Sequence, residues 1–318
     1  FFLSGDGGYD ARLDDTLQSL LKNGNYDAII TEYSMMGQYI EGAQSVIPSD
    51  TMTIISVHEC YTQAFRQRLE KGEQIPVETI DELYKYEFRM YRAADHVLTL
   101  TGEDRDTVIS LAPDLAGKTH VVPHGVDSSF YTPPPSKSWN SQNILFLGNF
   151  RHDPNVNAVH NFMRHCWPEI SEKVPNARFY AIGFDPPDEL LAYRNERVIV
   201  KEGGTHADVR QIYWTGDVFV SPIELGGGFR GKMLEALSCG LPTVSTHLSA
   251  FGIDPVNGKE MYVTDDYKEF TRHVVSLLTN TELRKTMSAM ARSLGERFDH
   301  KEAARKLDAT IEEHRTRH

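Results

Sequence analysis

The densest chemistry in the sequence lies at 225–246, "LGGGFRGKMLEALSCGLPTVST". Gly226, Gly231 and Lys232 fit the phosphate-loop spacing G-x-x-x-x-G-K, which is completed by a Ser or Thr whose hydroxyl binds Mg²⁺. Met233 stands there instead, and a thioether does not serve a hard cation that demands oxygen ligands. What remains still suits an anion. Gly226, Gly227 and Gly228 let backbone N–H groups approach closely, and a helix beginning just after them adds the positive end of its dipole. Arg230 and Lys232 bring formal charge to the same place. The pattern points to a diphosphate held without a metal; a glycine loop made only for tight packing is the alternative.

Other chemically capable residues are scattered. His58 ends an apolar run, a place for a site histidine or for a packed ring with one hydrogen bond. Thr101 and Glu103 open a helix, and His124 sits in the turn "PHGVD". Asp104 and Asp106 have the spacing of a metal-binding acid pair, but they fall in a helical first turn, where acids are favoured anyway. The 13 histidines show no H-E-x-x-H spacing, and no Ser-His-Asp arrangement is visible. Arg66, Arg68, Lys71, Lys85, Arg89 and Arg92 form either a basic face for an anionic membrane or lipid-linked acceptor, or simply solvated helix charge.

The elements that must position these residues alternate between short β-rich runs and helical periodicity, the pattern of parallel sheets covered on both faces. Strands are expected at 26–34, 51–59 and 95–101, and a further one ends at the His-Gly turn. After the Pro-, Ser- and Asn-rich linker 133–142, a second series begins at 143–150 and continues at 177–183, 196–202, 217–222 and 242–246. Helical stretches include 78–94, 155–170, 206–214 and the tail from about 267. This predicts two open α/β domains, 1–132 and 143–295, with a last helical segment 296–318. In such a pair, ligand binds in the cleft at the carboxyl ends of the strands.

Composition bounds the partners. The 318 residues are 40% hydrophobic and 25% charged, enough for two domains with real cores. The net charge of −12 argues against wholesale nucleic-acid binding. No apolar run approaches the roughly 18 residues of a bilayer span. Three well-separated cysteines form neither a disulfide framework nor a metal cluster, which fits a cytoplasmic setting, extending to the inner membrane face if the basic cluster is used.

The segments "GGGFRGKMLEALSCGLPTVST", "THVVPHGVDSSFY", "NILFLGNFRHDPN" and "DVFVSP" together resemble the C-terminal half of a retaining GT-B glycosyltransferase of the large family four. The similarity runs over about residues 80–300. It implies two Rossmann-like domains facing a cleft, the second binding a UDP- or GDP-sugar, with no metal and no other cofactor. The first would bind the acceptor, a glycan, lipid-linked or small molecule, and the last helix would cross back to it. Residue by residue, Glu235 matches the second Glu of the family's E-x-x-x-x-x-x-x-E pattern, a ribose ligand. Gly227 occupies the place of the first Glu, and Glu224 lies three residues too early to replace it.

The resemblance further implies that Gly148, Asn149 and Arg151 approach the donor diphosphate, together with Gly226, Gly227, Gly228 and Phe229. His58, Arg230 and Lys232 would serve transfer itself. The expected reaction moves a sugar from a nucleotide sugar to an acceptor hydroxyl with retention. A sugar-nucleotide epimerase and a non-catalytic nucleotide-sugar-binding module are the alternatives. A first domain of this family has about three further strands before "YDAIITEYS", and residues 1–25 have no room for them. The chain is therefore expected to be a fragment, a processed product or one part of a larger assembly.

Overall fold

The run Ile144, Leu145, Phe146, Leu147 has no polar alternation, as expected of a strand covered on both faces. In the computed structural model, which describes residues 8–316 apart from 71, 204–208 and 226–230, these residues lie in one strand and part company in turn. Ile144 and Phe146 join one core cluster with Phe162, Ile170 and Phe179. Leu145 and Leu147 join another with Tyr213, Ala236 and Leu241. Side chains two apart share a face, so a single strand seeds two cores.

The described residues fall into two compact units, one holding those up to Pro123 and from Ala303 onward, the other those from His124 to Glu302. In the first unit, β1 (Ala28–Glu32), β2 (Met52–Val57), β3 (His96–Thr99) and β4 (Thr119–Val121) form a parallel sheet in chain order. The Val77–Ala93 helix buries Ile80, Leu83, Phe88 and Tyr91, a stripe at helical spacing. Ile55, Val57 and Val97 pack with Phe88 and Tyr91 on one face of the sheet. On the other, Met52, Ile54 and Leu98 pack with Leu307 and Ile311, one turn apart on the His300–Arg315 helix. Among the described residues β1 is an edge strand, and its Ile30 is 41% exposed.

The second unit holds β5 (Asn143–Asn149), β6 (Arg178–Phe184), β7 (Val198–Glu202), β8 (Val218–Ser221), β9 (Thr243–Ser245) and β10 (Tyr262–Val263). All are parallel, in the spatial order β7-β6-β5-β8-β9-β10. Counted within the unit this is 3-2-1-4-5-6, the doubly wound dinucleotide-binding order, whose direction reverses between β5 and β8. Two details differ from the sequence reading. The stretch read as one helix over 155–170 is two, Asp153–His165 and Trp167–Lys173. Pro168 has no N–H to continue the first helix but suits the opening turn of the second. The two-residue β10 carries too little pattern to be foreseen.

Candidate functional site

Where a doubly wound sheet reverses direction, the helices after the two central strands lie on opposite faces and leave a crevice at the strands' carboxyl ends. In the second unit those ends are Gly148 and Asn149 of β5 and Ser221 of β8. Gly148 pairs with Gly183 of β6, and a Cβ on Gly183 would lie 1.7 Å from the Gly148 carbonyl oxygen. Only glycine permits that approach. The Asn155 side chain donates to the Asn149 carbonyl at 2.7 Å, and the Asn149 side chain accepts from the Arg151 N–H at 3.1 Å, which fixes the turn leaving β5. Arg151 itself bonds Asp185 at 2.8 Å and lies over the Phe184 ring, with its side chain 64% exposed.

The exit of β8 is held from below, where the Ser249 hydroxyl donates to the Ser221 carbonyl at 2.7 Å. Gly226, Gly227, Gly228, Phe229 and Arg230 lie outside the described residues. The helix that follows runs Gly231–Ser238. Its end is a Schellman motif: Gly240, at φ +68°, donates to Leu237, and Leu241 donates to Ala236. Successive residues on this helix face different ways. Lys232 is exposed near its first turn, Met233 is 1% exposed within the core, and Glu235 is half-buried. The position that would supply a magnesium ligand in a phosphate loop therefore points inward.

Glu235 is not a loose surface carboxylate. The fully buried Tyr213 donates its hydroxyl to Glu235 Oε2 at 2.6 Å, the short distance of a bond to a charged acceptor. The Tyr131 hydroxyl also lies within reach of the Glu235 charge. Burial first, and the Glu235 charge second, hold both phenols above their ordinary range, so both remain donors. Glu224, at the other end of the loop, accepts from the Asn161 side chain at 2.9 Å.

In the first unit the carboxyl ends of β1 and β2 bring His58 and Glu32 together, with Nε2 to Oε2 at 2.6 Å. Tyr33 stacks on the imidazole, ring centroids 4.3 Å apart and planes 26° from parallel. Behind this edge lies a residue the sequence reading missed. Glu87 is fully buried and accepts from the N–H groups of Tyr61 and Thr62 at 2.9 and 2.8 Å, and from the hydroxyls of Thr62 and Tyr91 at 2.6 and 2.8 Å. It satisfies the start of the Tyr61–Glu70 helix that follows His58. An acid inside the apolar stripe of the Val77–Ala93 helix was the available signal. Burial and the neighbouring Glu87 charge push the Cys60 thiol up, and burial lifts Cys166 to about 11 and Cys239 to about 12, so these are inert interior groups.

The remaining candidates take structural places. Thr101 caps the Gly102–Leu111 helix, accepting from the Asp104 N–H at 3.0 Å and donating to its carboxylate at 2.7 Å. Gly125, beside His124, lies so close to His300 that an added Cβ would be 2.2 Å from its Cα. Of the basic set, Arg68 pairs with Glu73, Arg89 with Glu41 and Arg92 with Asp114, so half of that face is locally neutralised. Among the described residues no cluster of acids, histidines and cysteines could hold a metal, and no helix is long and apolar enough to cross a membrane.

Residues 141–280 match the family model of the glycosyl transferases group 1. A human phosphatidylinositol N-acetylglucosaminyltransferase subunit is 24% identical over 164 residues, 48% of this chain and 32% of that protein. The chain thus spans about a third of this relative's length. Among solved structures, sucrose-phosphate synthase from Thermosynechococcus elongatus superposes with a TM-score of 0.71 at 14% identity, covering 98% of this chain and 82% of that one. Anabaena HepE in complex with UDP-glucose gives 0.70 at 16% identity, covering 95% and 81%. Residues 141–280 thus resemble the group 1 glycosyl transferases, and the two parallel sheets have the fold of the GT-B enzymes.

Proposed function

We propose that this chain binds a nucleotide-sugar donor in its second unit and transfers the sugar to an acceptor hydroxyl. The observation that carries this is the reversal of strand order between β5 and β8, whose carboxyl ends hold Gly148, Asn149 and Ser221, with Lys232 exposed on the helix that follows β8 and Glu235 held there by the Tyr213 hydroxyl. A lysine at a helix N-terminus suits a diphosphate, and a fixed carboxylate suits the paired hydroxyls of a ribose. UDP is the donor nucleotide we favour, because the similarly folded HepE was solved with UDP-glucose. Metal independence is supported by the inward side chain of Met233.

In the reaction we propose, the bond from the anomeric carbon to the diphosphate breaks as a bond to the acceptor oxygen forms on the same face. The acceptor proton passes to the leaving diphosphate, so configuration is retained. Lys232 and Arg230 counter the charge that develops there, which preorganised groups stabilise strongly. Arg151 and the loop of Gly226, Gly227, Gly228 and Phe229 complete the donor contacts. His58 is the first unit's candidate for a role in transfer.

Calorimetric titration with UDP, GDP and ADP, with and without EDTA, tests this directly. UDP at 100 times its Kd should stabilise the fold by about 2.7 kcal/mol in either condition. Lys232→Ala should weaken UDP by about 1.5 to 3 kcal/mol while leaving uridine unchanged. Affinity that vanishes with EDTA would refute the metal-free site. Equal UDP affinity in a folded Lys232→Ala would remove lysine from it.

A further inference from the structure

The amino ends of the second sheet, opposite the carboxyl ends that hold Gly148 and Asn149, border a cavity of about 410 Å³. Asn143 at the start of β5 pairs in register with Arg178 at the start of β6, and the Phe179 N–H donates to the Arg197 carbonyl just before β7 at 2.8 Å. Three strand entries therefore share one rim. β5 has seven residues, so about 20 Å of strand separates this rim from Asn149. The volume falls within the roughly 300–1,000 Å³ of small-molecule sites.

Its lining differs from the apolar walls usual in such sites. Of the nine lining residues only Pro175 is apolar; the others offer four side-chain amides, one hydroxyl, two guanidinium groups and one carboxylate. Part of this set is fixed in advance. Arg197 donates to the Ser171 and Pro175 carbonyls at 3.1 and 3.0 Å and lies over the Trp167 ring. Gln142 and Asn143 donate to the Leu278 and Thr215 carbonyls at 3.1 and 2.9 Å, so each amide has used one N–H and keeps an oxygen that accepts. Two charges remain uncommitted: among the described residues neither the exposed Arg178 guanidinium nor the exposed Glu196 carboxylate has a hydrogen bond or an ion pair. Opposite charges that line one cavity without closing on each other leave room for a ligand that bonds to both.

We propose that this cavity is a saccharide-binding site of the second unit, remote from the donor site, which takes a neutral sugar whose hydroxyls bond Arg178 and Glu196. A sugar hydroxyl both donates and accepts, and so does this lining; the guanidinium serves one hydroxyl oxygen and the carboxylate takes the hydrogen of another. A phosphate or other anion would meet the Glu196 carboxylate, and a nucleobase would find no aromatic ring among the lining residues. Walls fixed beforehand lower the cost of ordering them on binding. The site is independent of the transfer reading: it requires no reaction, and none of its residues belongs to the donor site.

The test uses the full chain labelled with ¹⁵N and titrated with three neutral probes, maltotriose, cellotriose and chitotriose. At least one should shift the amide signals of Asn140, Asn176 and Arg197 in a saturable way, while those of Gly148 and Asn149 stay in place. Arg178→Ala and Glu196→Ala change exposed side chains, so the fold should hold, and each should weaken that probe by about 10-fold, the loss of one hydrogen bond to a charged group. UDP should bind both variants as it binds the wild type. The absence of a saturable shift with all three probes overturns the proposal, as does unchanged affinity in both variants. Sulfate that displaces the bound probe at lower concentration also overturns it, by making the cavity an anion site. UDP that fails to bind the wild-type protein counts against the donor site alone, so the two failures are separate results.

Discussion

Glu235 and Tyr213 show how much a single hydroxyl can direct. The carboxylate accepts a 2.6 Å bond from a phenol with no solvent access, so its orientation is set before any ligand arrives. Tyr213→Phe removes that bond and little volume. It should weaken uridine and UDP alike, each by about 1.5 kcal/mol, and leave pyrophosphate affinity unchanged. Glu235→Gln should show the same selectivity. Calorimetry with the three ligands decides, and a loss confined to UDP would assign this pair to the diphosphate instead. Glu235 stands out in the sequence through its match to the second Glu of the family pattern, and the helix that carries it was readable from its flanking glycines and the Gly240 stop. The partner of Glu235 was not, since Tyr213 lies 22 residues away on another helix and no local pattern reveals such a pairing. Glu32 and His58, 26 residues apart, were hidden for the same reason: strand register is a property of the sheet.

At the scale of elements, the sheets were readable where both faces are covered. The apolar runs of β2 and β5 have no other use than to fill two cores at once. The break at Cys166 and the short β10 were not, because one proline and two residues carry little periodicity. The last helix adds a contact that only the fold reveals. His96 of β3 bonds His120 of β4 at 3.0 Å and His314 of that helix at 3.4 Å. Burial first, then the two neighbouring histidines, lower His96 to about 4, with Lys118 acting in the same sense and Asp95 opposing. The unfolded chain therefore takes up a proton near pH 6.5 that the folded chain refuses until about 4. Stability is full above pH 6.5 and declines as pH falls through that window. For a half-buried group, screening leaves about 1 kcal/mol of this effect. Urea unfolding at pH 7 and pH 5 should show the loss, and His96→Gln should flatten it. An unaltered slope in His96→Gln would assign the acid sensitivity elsewhere.

At the scale of the whole molecule, the two faces of the first sheet depend on segments far apart in sequence, since Leu307 and Ile311 close the face that Met52, Ile54 and Leu98 open. Replacing both with alanine should cost about 2 kcal/mol, less than two fully buried residues would, because both are only partly covered. Chemical denaturation measures it, and a wild-type midpoint would show that the helix is held by its ends. The opposite flank of that sheet has a more practical meaning. β1 presents an unpaired row of amides and carbonyls among the described residues, with Ile30 41% exposed on it and Leu13 and Leu20 of the Ala11–Asn23 helix at 43% and 49%. Sticky margins of this kind recruit one another in a concentrated solution. Purified material should scatter light increasingly as it is concentrated, and Ile30→Lys, a lone charge on the rim, should keep it clear without disturbing UDP binding.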